Sequence, residues 1–179
     1  MLALMVFFAL ARIIELFVSR GTANKAKERG SRAQKEPAFI AMVVVHTLVF
    51  LVVPLEVLLL NTPFIWPLAI GSLVLLSLAL VARVWTLRTL GKRWNVRIVA
   101  PDAVVSSGPY KYIRHPNYAI VIVELFAIPL FHSAFISCAF LTIANGLVLY
   151  ARIPAEEKML FSIPKYKELM GGKPRFLPF

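Results

Sequence analysis

The sequence predicts an all-α integral membrane protein of about five transmembrane helices, the last two forming a helical hairpin, with the polar connections gathered on one face. Three observations predict it. Hydrophobic residues make up 59% of the 179 residues and charged ones only 16%, where a soluble domain carries about 25% charge. The apolar residues fall into runs near the roughly 20 that a helix needs to cross about 30 Å of hydrocarbon. The positive charge, +11 net, collects between those runs. A disordered chain would be low in hydrophobicity, and a nucleic-acid binder has no need of such runs. One cysteine, Cys138, leaves neither an intramolecular disulfide nor a Cys-based zinc site.

The five runs follow in order. Met1 to Val18 is apolar except for Arg12 and Glu15; charges in its middle and no basic start or small-residue cleavage site mark it as a retained helix rather than a signal peptide. Ala38 to Leu60 is interrupted by His46, Thr47 and Glu56, with Pro54 expected to kink it. Phe64 to about Leu87 is the cleanest, broken only by Arg83. Tyr118–Phe131 and Ala134–Tyr150 are shorter and read as the hairpin, turning at His132-Ser133.

Eighteen of the twenty Lys and Arg residues lie in three segments, 20–35, 88–114 and 152–175, while the turns at 61–63 and 132–133 hold none. Positive residues accumulate on the cytoplasmic side, so five spans with the amino terminus outside bring all three segments to the cytoplasm. The chain then divides into residues 1–87, three spans with a basic loop at 19–37, and residues 88–179, which hold the last two spans. Topology and anionic lipid head groups account for most of the charge. The lipid bilayer is thus an expected partner and nucleic acid is not. Nothing in the pattern sets an oligomeric state.

Ionisable groups at membrane depth cost about 2.5–3.5 kcal/mol each at a helix centre on insertion scales. Arg12, Glu15, His46, Glu56, Arg83 and Glu124 are such groups; each is either part of an ion-pair network that fixes packing or part of a site. Arg12 and Glu15, three apart, share a helix face. Glu124 leans toward a site because it follows the motif at 106–118. Cys138 reads as a small buried hydrophobe. No G-x-G-x-x-G, P-loop or H-E-x-x-H is present, which disfavours a Rossmann-type cofactor domain and a helical zinc site.

Two basic segments stand out. Ser106 to Tyr118 places a Gly-Pro turn, two tyrosines and two cations ahead of a helix that starts at His-Pro. A helix start presents unpaired N–H groups and a positive dipole end to an anionic group; Tyr and Arg at head-group level equally make an interfacial belt. Ala151 to Leu160 places Arg152 and Glu156 at i, i+4, on one side of a helix, with Pro154 expected in the first turn of a new helix. The hairpin returns both segments to the same membrane face.

The ordered series Leu90-Gly91-Lys92-Arg93-Trp94, Ser107-Gly108-Pro109-Tyr110, Arg114-His115-Pro116-Asn117-Tyr118, Arg152 with Glu156-Glu157, Tyr166 and Pro174-Arg175-Phe176-Leu177-Pro178-Phe179 resembles the isoprenylcysteine carboxyl methyltransferase family over about the last ninety residues. Arg12 to Leu16 and Met42 to Glu56 around His46 look like its bacterial branch found beside type III polyketide synthases, whose members methylate alkylpyrone-type lipids.

The resemblance implies a cytoplasmic cofactor-binding region and methyl transfer from S-adenosylmethionine to an oxygen of a lipophilic small molecule. It implies cofactor contacts at Tyr110, His115, Pro116, Asn117 and Tyr118, at Ala103, Val104 and Val105 before them, and at Glu156 toward the cofactor's amino group. Arg152 looks like the substrate-oriented cation. A carboxylate nucleophile needs no base, whereas a phenol would call on Glu157 or Glu124. Many members have Gly two residues after the motif's Tyr; here Ile120 stands there, which points to a differently shaped substrate tunnel. Two further readings belong to other reactions: a phospholipid N-methyltransferase, and an NADPH-dependent sterol-reductase-like enzyme, which shares an R-H-P-N-Y-like segment but in a much longer chain.

Overall fold

The computed structural model describes residues 2–28, 38–101 and 103–177. The basic stretch 29–37 and the terminal Pro178-Phe179 of the last motif lie outside them. The described residues form six α-helices: α1 (Leu2–Glu28), α2 (Ala38–Leu60), α3 (Trp66–Leu90), α4 (Pro116–Leu130), α5 (Phe135–Leu160) and the short α6 (Pro164–Met170). α2, α3 and α5 are long and apolar enough to cross a membrane. α4 is apolar but only 15 residues long, about 22 Å, and α1 carries Arg12 and Glu15 mid-length.

Helix ends follow from local chemistry. α1 runs past Val18, so residues 19–28 are helical and not the loop expected there. Ala, Lys and Glu favour helix, and two hydroxyls dock this extension: Ser19 Oγ accepts the Val96 N–H at 2.8 Å, and the Thr22 hydroxyl donates to the Trp94 carbonyl. α3 begins with Pro67 in its first turn, where a missing N–H is harmless. It ends at Gly91, whose φ of +52° suits glycine. α5 continues through Pro154 to Leu160; Pro154 is interior to one long helix, not at the start of a new one.

The α4–α5 hairpin turns at residues 131–134. There Glu56, from α2, accepts the backbone N–H groups of Ile136 at 3.0 Å and Ser137 at 2.6 Å. A carboxylate on the orphan donors of a helix start is favourable, so this acid at membrane depth serves as a cap supplied from another helix. α4 packs between α3 and α5, and α2 against α5, around Val49, Val53, Leu76, Leu125 and Leu141. The outward faces of α2, α3 and α5 show Leu58, Leu59, Trp66, Leu78, Val81, Ile143 and Leu147, a surface suited to lipid. α1 adds Met5 and Phe8 to the core. Toward its other end it meets the bundle through Arg12, Glu15, Ser19 and Thr22.

Candidate active site

The first wall of the site is the start of α4. Residues Gly108–Lys111 make a 3₁₀ turn. Gly108 is obligatory there: its φ is +56° and a Cβ would run into Thr89 of α3. The backbone N–H groups of Arg114 and His115 donate to the carbonyls of Pro174 and Arg175 at 2.9 and 3.0 Å, and Lys173 Nζ donates to the Tyr110 carbonyl at 2.7 Å. The carboxy-terminal segment is thus a strap across the motif that opens α4. Pro116 follows in the first turn of the helix.

The second wall is the last third of α5, which presents two acids to different partners. Glu156 accepts the Tyr118 hydroxyl, and that oxygen in turn accepts from Arg152 Nε at 2.8 Å. Arg152 also donates Nη2 to the Val96 carbonyl. At least two of its nitrogens are therefore engaged, which fixes the orientation of the guanidinium at the cavity wall. Glu157 turns to the strap: Arg175 Nε and Nη2 reach it at 3.1 and 2.6 Å, His115 Nε2 at 3.1 Å and Arg114 Nη2 at 3.5 Å. An ionised carboxylate only accepts, so Nε2 of His115 carries the hydrogen. The His115 ring stacks on Tyr118 with centroids 5.3 Å apart.

Between these walls and α1–α3 lies a cavity of about 400 Å³, within the usual range for small-molecule sites. Ala103, Val104, Val105, Tyr110, His115, Asn117, Tyr118, Arg152 and Glu156 all line it. Pro116, Glu124 and Glu157 do not. Its far end runs between α1 and α2, past Ile13, Leu16, Met42, Val43 and Phe50. Both halves of the chain contribute walls.

The inner end has a polar floor. Arg83 Nε and Nη2 meet Glu124 at 3.0 and 2.5 Å, while its Nη1 reaches Glu15 and the Asn117 Oδ1, both at 3.2 Å. Arg12 binds Glu15 at 2.6 Å and also Glu124. Two guanidiniums and two carboxylates compensate one another, so α1, α3 and α4 are tied at membrane depth. Glu124 is consumed by this network and Glu157 by the strap. Neither lines the cavity, where the sequence expectation would need a base at those positions. Ile120 is buried but stands off the cavity; its neighbour Val121 lines it instead, so the expected effect of Ile120 on the tunnel wall is indirect.

Two buried donors and two tyrosine hydroxyls mark the electrostatics of the cavity. Arg114 Nε and Trp94 Nε1 are buried on cavity-lining residues without an acceptor among the described residues, an arrangement that costs about 1–3 kcal/mol per group when nothing fills it. Burial, with Glu156 nearby, pushes the Tyr110 hydroxyl well above its ordinary range and that of Tyr166 up to about 12. Both stay protonated beside Glu156. Sequence reasoning passed over Trp94 as a site residue and Asn145 altogether. Asn145 is buried in α5 and lines the cavity; a polar residue within an apolar run was the available signal.

Protein YpbQ of Bacillus subtilis is 40% identical over 152 residues, which cover 83% of this chain and 89% of that protein. Cobalt-zinc-cadmium resistance protein CzcN of Cupriavidus metallidurans is 30% identical over 103 residues, 57% of this chain and 45% of that longer protein. The model of a family of membrane-associated methyltransferases matches residues 71–162, a stretch that holds α4, both walls of the cavity and the Arg152–Glu156 pair. The chain therefore belongs to the isoprenylcysteine carboxyl methyltransferase family.

Proposed function

We propose that this methyltransferase transfers the methyl group of S-adenosylmethionine to an oxygen of a lipid-like acceptor, working at the cytoplasmic face of a bacterial plasma membrane with its amino terminus outside. The acceptor is either the carboxylate of an isoprenylcysteine-type group or the acidic hydroxyl of an alkylpyrone-type polyketide. The observation that carries this reading is the Glu156–Tyr118–Arg152 chain, which sets an acid and a guanidinium side by side in a cavity with a polar cap and an apolar arm.

The residues present fit the methyl donor. Its cationic amino group needs an acid, which Glu156 supplies. Its carboxylate, ribose and ring acceptors need donors, which the buried N–H groups of Arg114 and Trp94 and the protonated Tyr110 and Tyr166 supply. When bound, the donor supplies an electrophilic methyl on a sulfonium. The chain's own residues bind, align and exclude water, which is most of what an in-line displacement requires. His115 is held by Glu157 and Tyr118 as a fixed contact, and Asn117 is held by Arg83. Arg152 draws the acceptor's oxygen toward the methyl, and the arm between α1 and α2 takes the hydrocarbon tail.

Calorimetry on the detergent-purified chain tests the reading. S-adenosylhomocysteine is expected to bind and NADPH to give no heat; binding of NADPH alone overturns the assignment. Incubation with labelled donor and a farnesylated cysteine analogue, an alkylpyrone or an alkylresorcinol then identifies the acceptor.

A further inference from the structure

Resting on that methyl-transfer reading, we infer that His46 is the proton acceptor of the reaction and that the acceptor it serves is an un-ionised ring hydroxyl. His46 lies on α2 at membrane depth and lines the cavity where the apolar arm meets the polar floor. Its Nδ1 lies 2.8 Å from the Met42 carbonyl one turn back. A carbonyl cannot donate, so Nδ1 carries the hydrogen. In the neutral ring the lone pair then belongs to Nε2, at the far side of the imidazole from its own helix.

Among the described residues, the other acids and the second histidine at the cavity already hold hydrogen-bond partners. Glu15 receives Arg12 and Arg83, Glu156 receives Tyr118, and His115 gives its Nε2 hydrogen to Glu157. Glu124 and Glu157 lie off the cavity in ion pairs. The charged groups acting on His46 are Arg12 of α1, Arg83 of α3 and Glu124 of α4, and both guanidiniums are paired with Glu124 and with Glu15 of α1. A wholly hydrocarbon arm would leave this floor without a purpose toward substrate, whereas a ring bearing a hydroxyl has a group to offer it. In the step, the acceptor's O–H bond breaks and its proton goes to His46 Nε2. Its electron pair forms the O–CH₃ bond, and the methyl–sulfur pair leaves with sulfur. A carboxylate acceptor, already ionised, releases no proton and makes no use of His46.

The test uses the full chain in detergent, wild type and His46→Gln, with alkylated phenols of equal tail length and descending hydroxyl pKa, and with a farnesylated cysteine analogue. His46→Gln is expected to lose about 10²-fold or more in kcat on hydroxyls un-ionised at the assay pH, as removal of a general base does. The loss should shrink toward nothing as the hydroxyl becomes ionised in solution. S-adenosylhomocysteine affinity is expected to be unchanged, which separates this from loss of fold; its absence in the wild type would instead strike the methyltransferase reading. A second readout is optical: a bound alkyl nitrophenol should show more phenolate absorbance in the wild type than in His46→Gln. An equal loss on ionised and un-ionised acceptors, a wild-type rate in His46→Gln, or a wild-type enzyme active on carboxylates alone overturns the inference.

Discussion

Arg83 of α3 and Glu124 of α4 meet edge to edge inside the bundle, Nε to Oε1 at 3.0 Å and Nη2 to Oε2 at 2.5 Å, both side chains 4% exposed. Removing one member of such a pair strands a charge and costs about 3–5 kcal/mol, whereas replacing both with apolar residues is often near neutral. Glu124→Leu is therefore expected to lower the thermal midpoint in detergent sharply, and Arg83→Met with Glu124→Leu to recover part of the loss. Recovery stays partial because Arg12 also uses Glu124. A double variant that loses the sum of the single losses would show that the two residues do not act as a pair.

Arg152 and Glu156 share Tyr118 but are assigned to different ligands, which makes their variants separable. Arg152→Ala is expected to abolish turnover with cofactor binding largely intact. Glu156→Ala is expected to weaken S-adenosylhomocysteine binding by roughly 10- to 150-fold, the equivalent of about 1.5–3 kcal/mol for a hydrogen bond to a charged group. Tyr118→Phe, which removes the oxygen that both residues contact, should lower both parameters by less. Calorimetry paired with a labelled-methyl assay measures the split; wild-type turnover in Arg152→Ala would remove its orienting role.

Alkaline pH provides a third test. Tyr166 keeps its proton up to about 12 through burial and the nearby Glu156, against about 10 in the unfolded chain. A folded-state pKa above the unfolded one contributes stability that is fully present below pH 10 and is lost as pH rises toward 12. Tyr110 is shifted in the same direction. Unfolding followed against pH should show a fall in that window, and Tyr166→Phe should flatten it. An unchanged profile in Tyr166→Phe would mean that the hydroxyl ionises without consequence for the fold.

Much of this was legible in the sequence because the signals were local. Apolar run lengths located the helices, Gly-Pro at 108–109 located the turn, and the i, i+4 spacing put Arg152 and Glu156 on one side. The Arg12–Glu15 pair was likewise readable from spacing. What escaped depends on which helix faces which. Glu124 lay close in sequence to the motif at 106–118, yet the side of α4 that carries it faces Arg83 rather than the cavity. Adjacent Glu156 and Glu157 differ by about 100° around α5, and that angle alone sends one to Tyr118 and the other to the strap. Glu56 read as a membrane-depth acid of open role; its partner is a helix start 80 residues away. The extension of α1 past Val18 was masked by its polar composition, and rests on Ser19 and Thr22 reaching residues 94–96.

The strap gives the last prediction, since Glu157 gathers Arg114, His115 and Arg175 on one carboxylate. Arg175 is about half exposed on its side chain, so water already screens its share and its loss should cost no more than a typical surface pair, about 0–1 kcal/mol. Glu157 is buried, and its removal leaves the His115 ring N–H without its acceptor, a penalty of about 1–3 kcal/mol. Glu157→Ala is therefore expected to lower stability and S-adenosylhomocysteine affinity more than Arg175→Ala, with Glu157→Gln between them because an amide oxygen still accepts from His115. Protease sensitivity of residues 171–177 should rise in Glu157→Ala and fall back when cofactor product is added, since a ligand seated against His115 restores the contact that the strap covers. If Arg175→Ala proves the more damaging of the two, the strap is held from the solvent side and Glu157 does not anchor it.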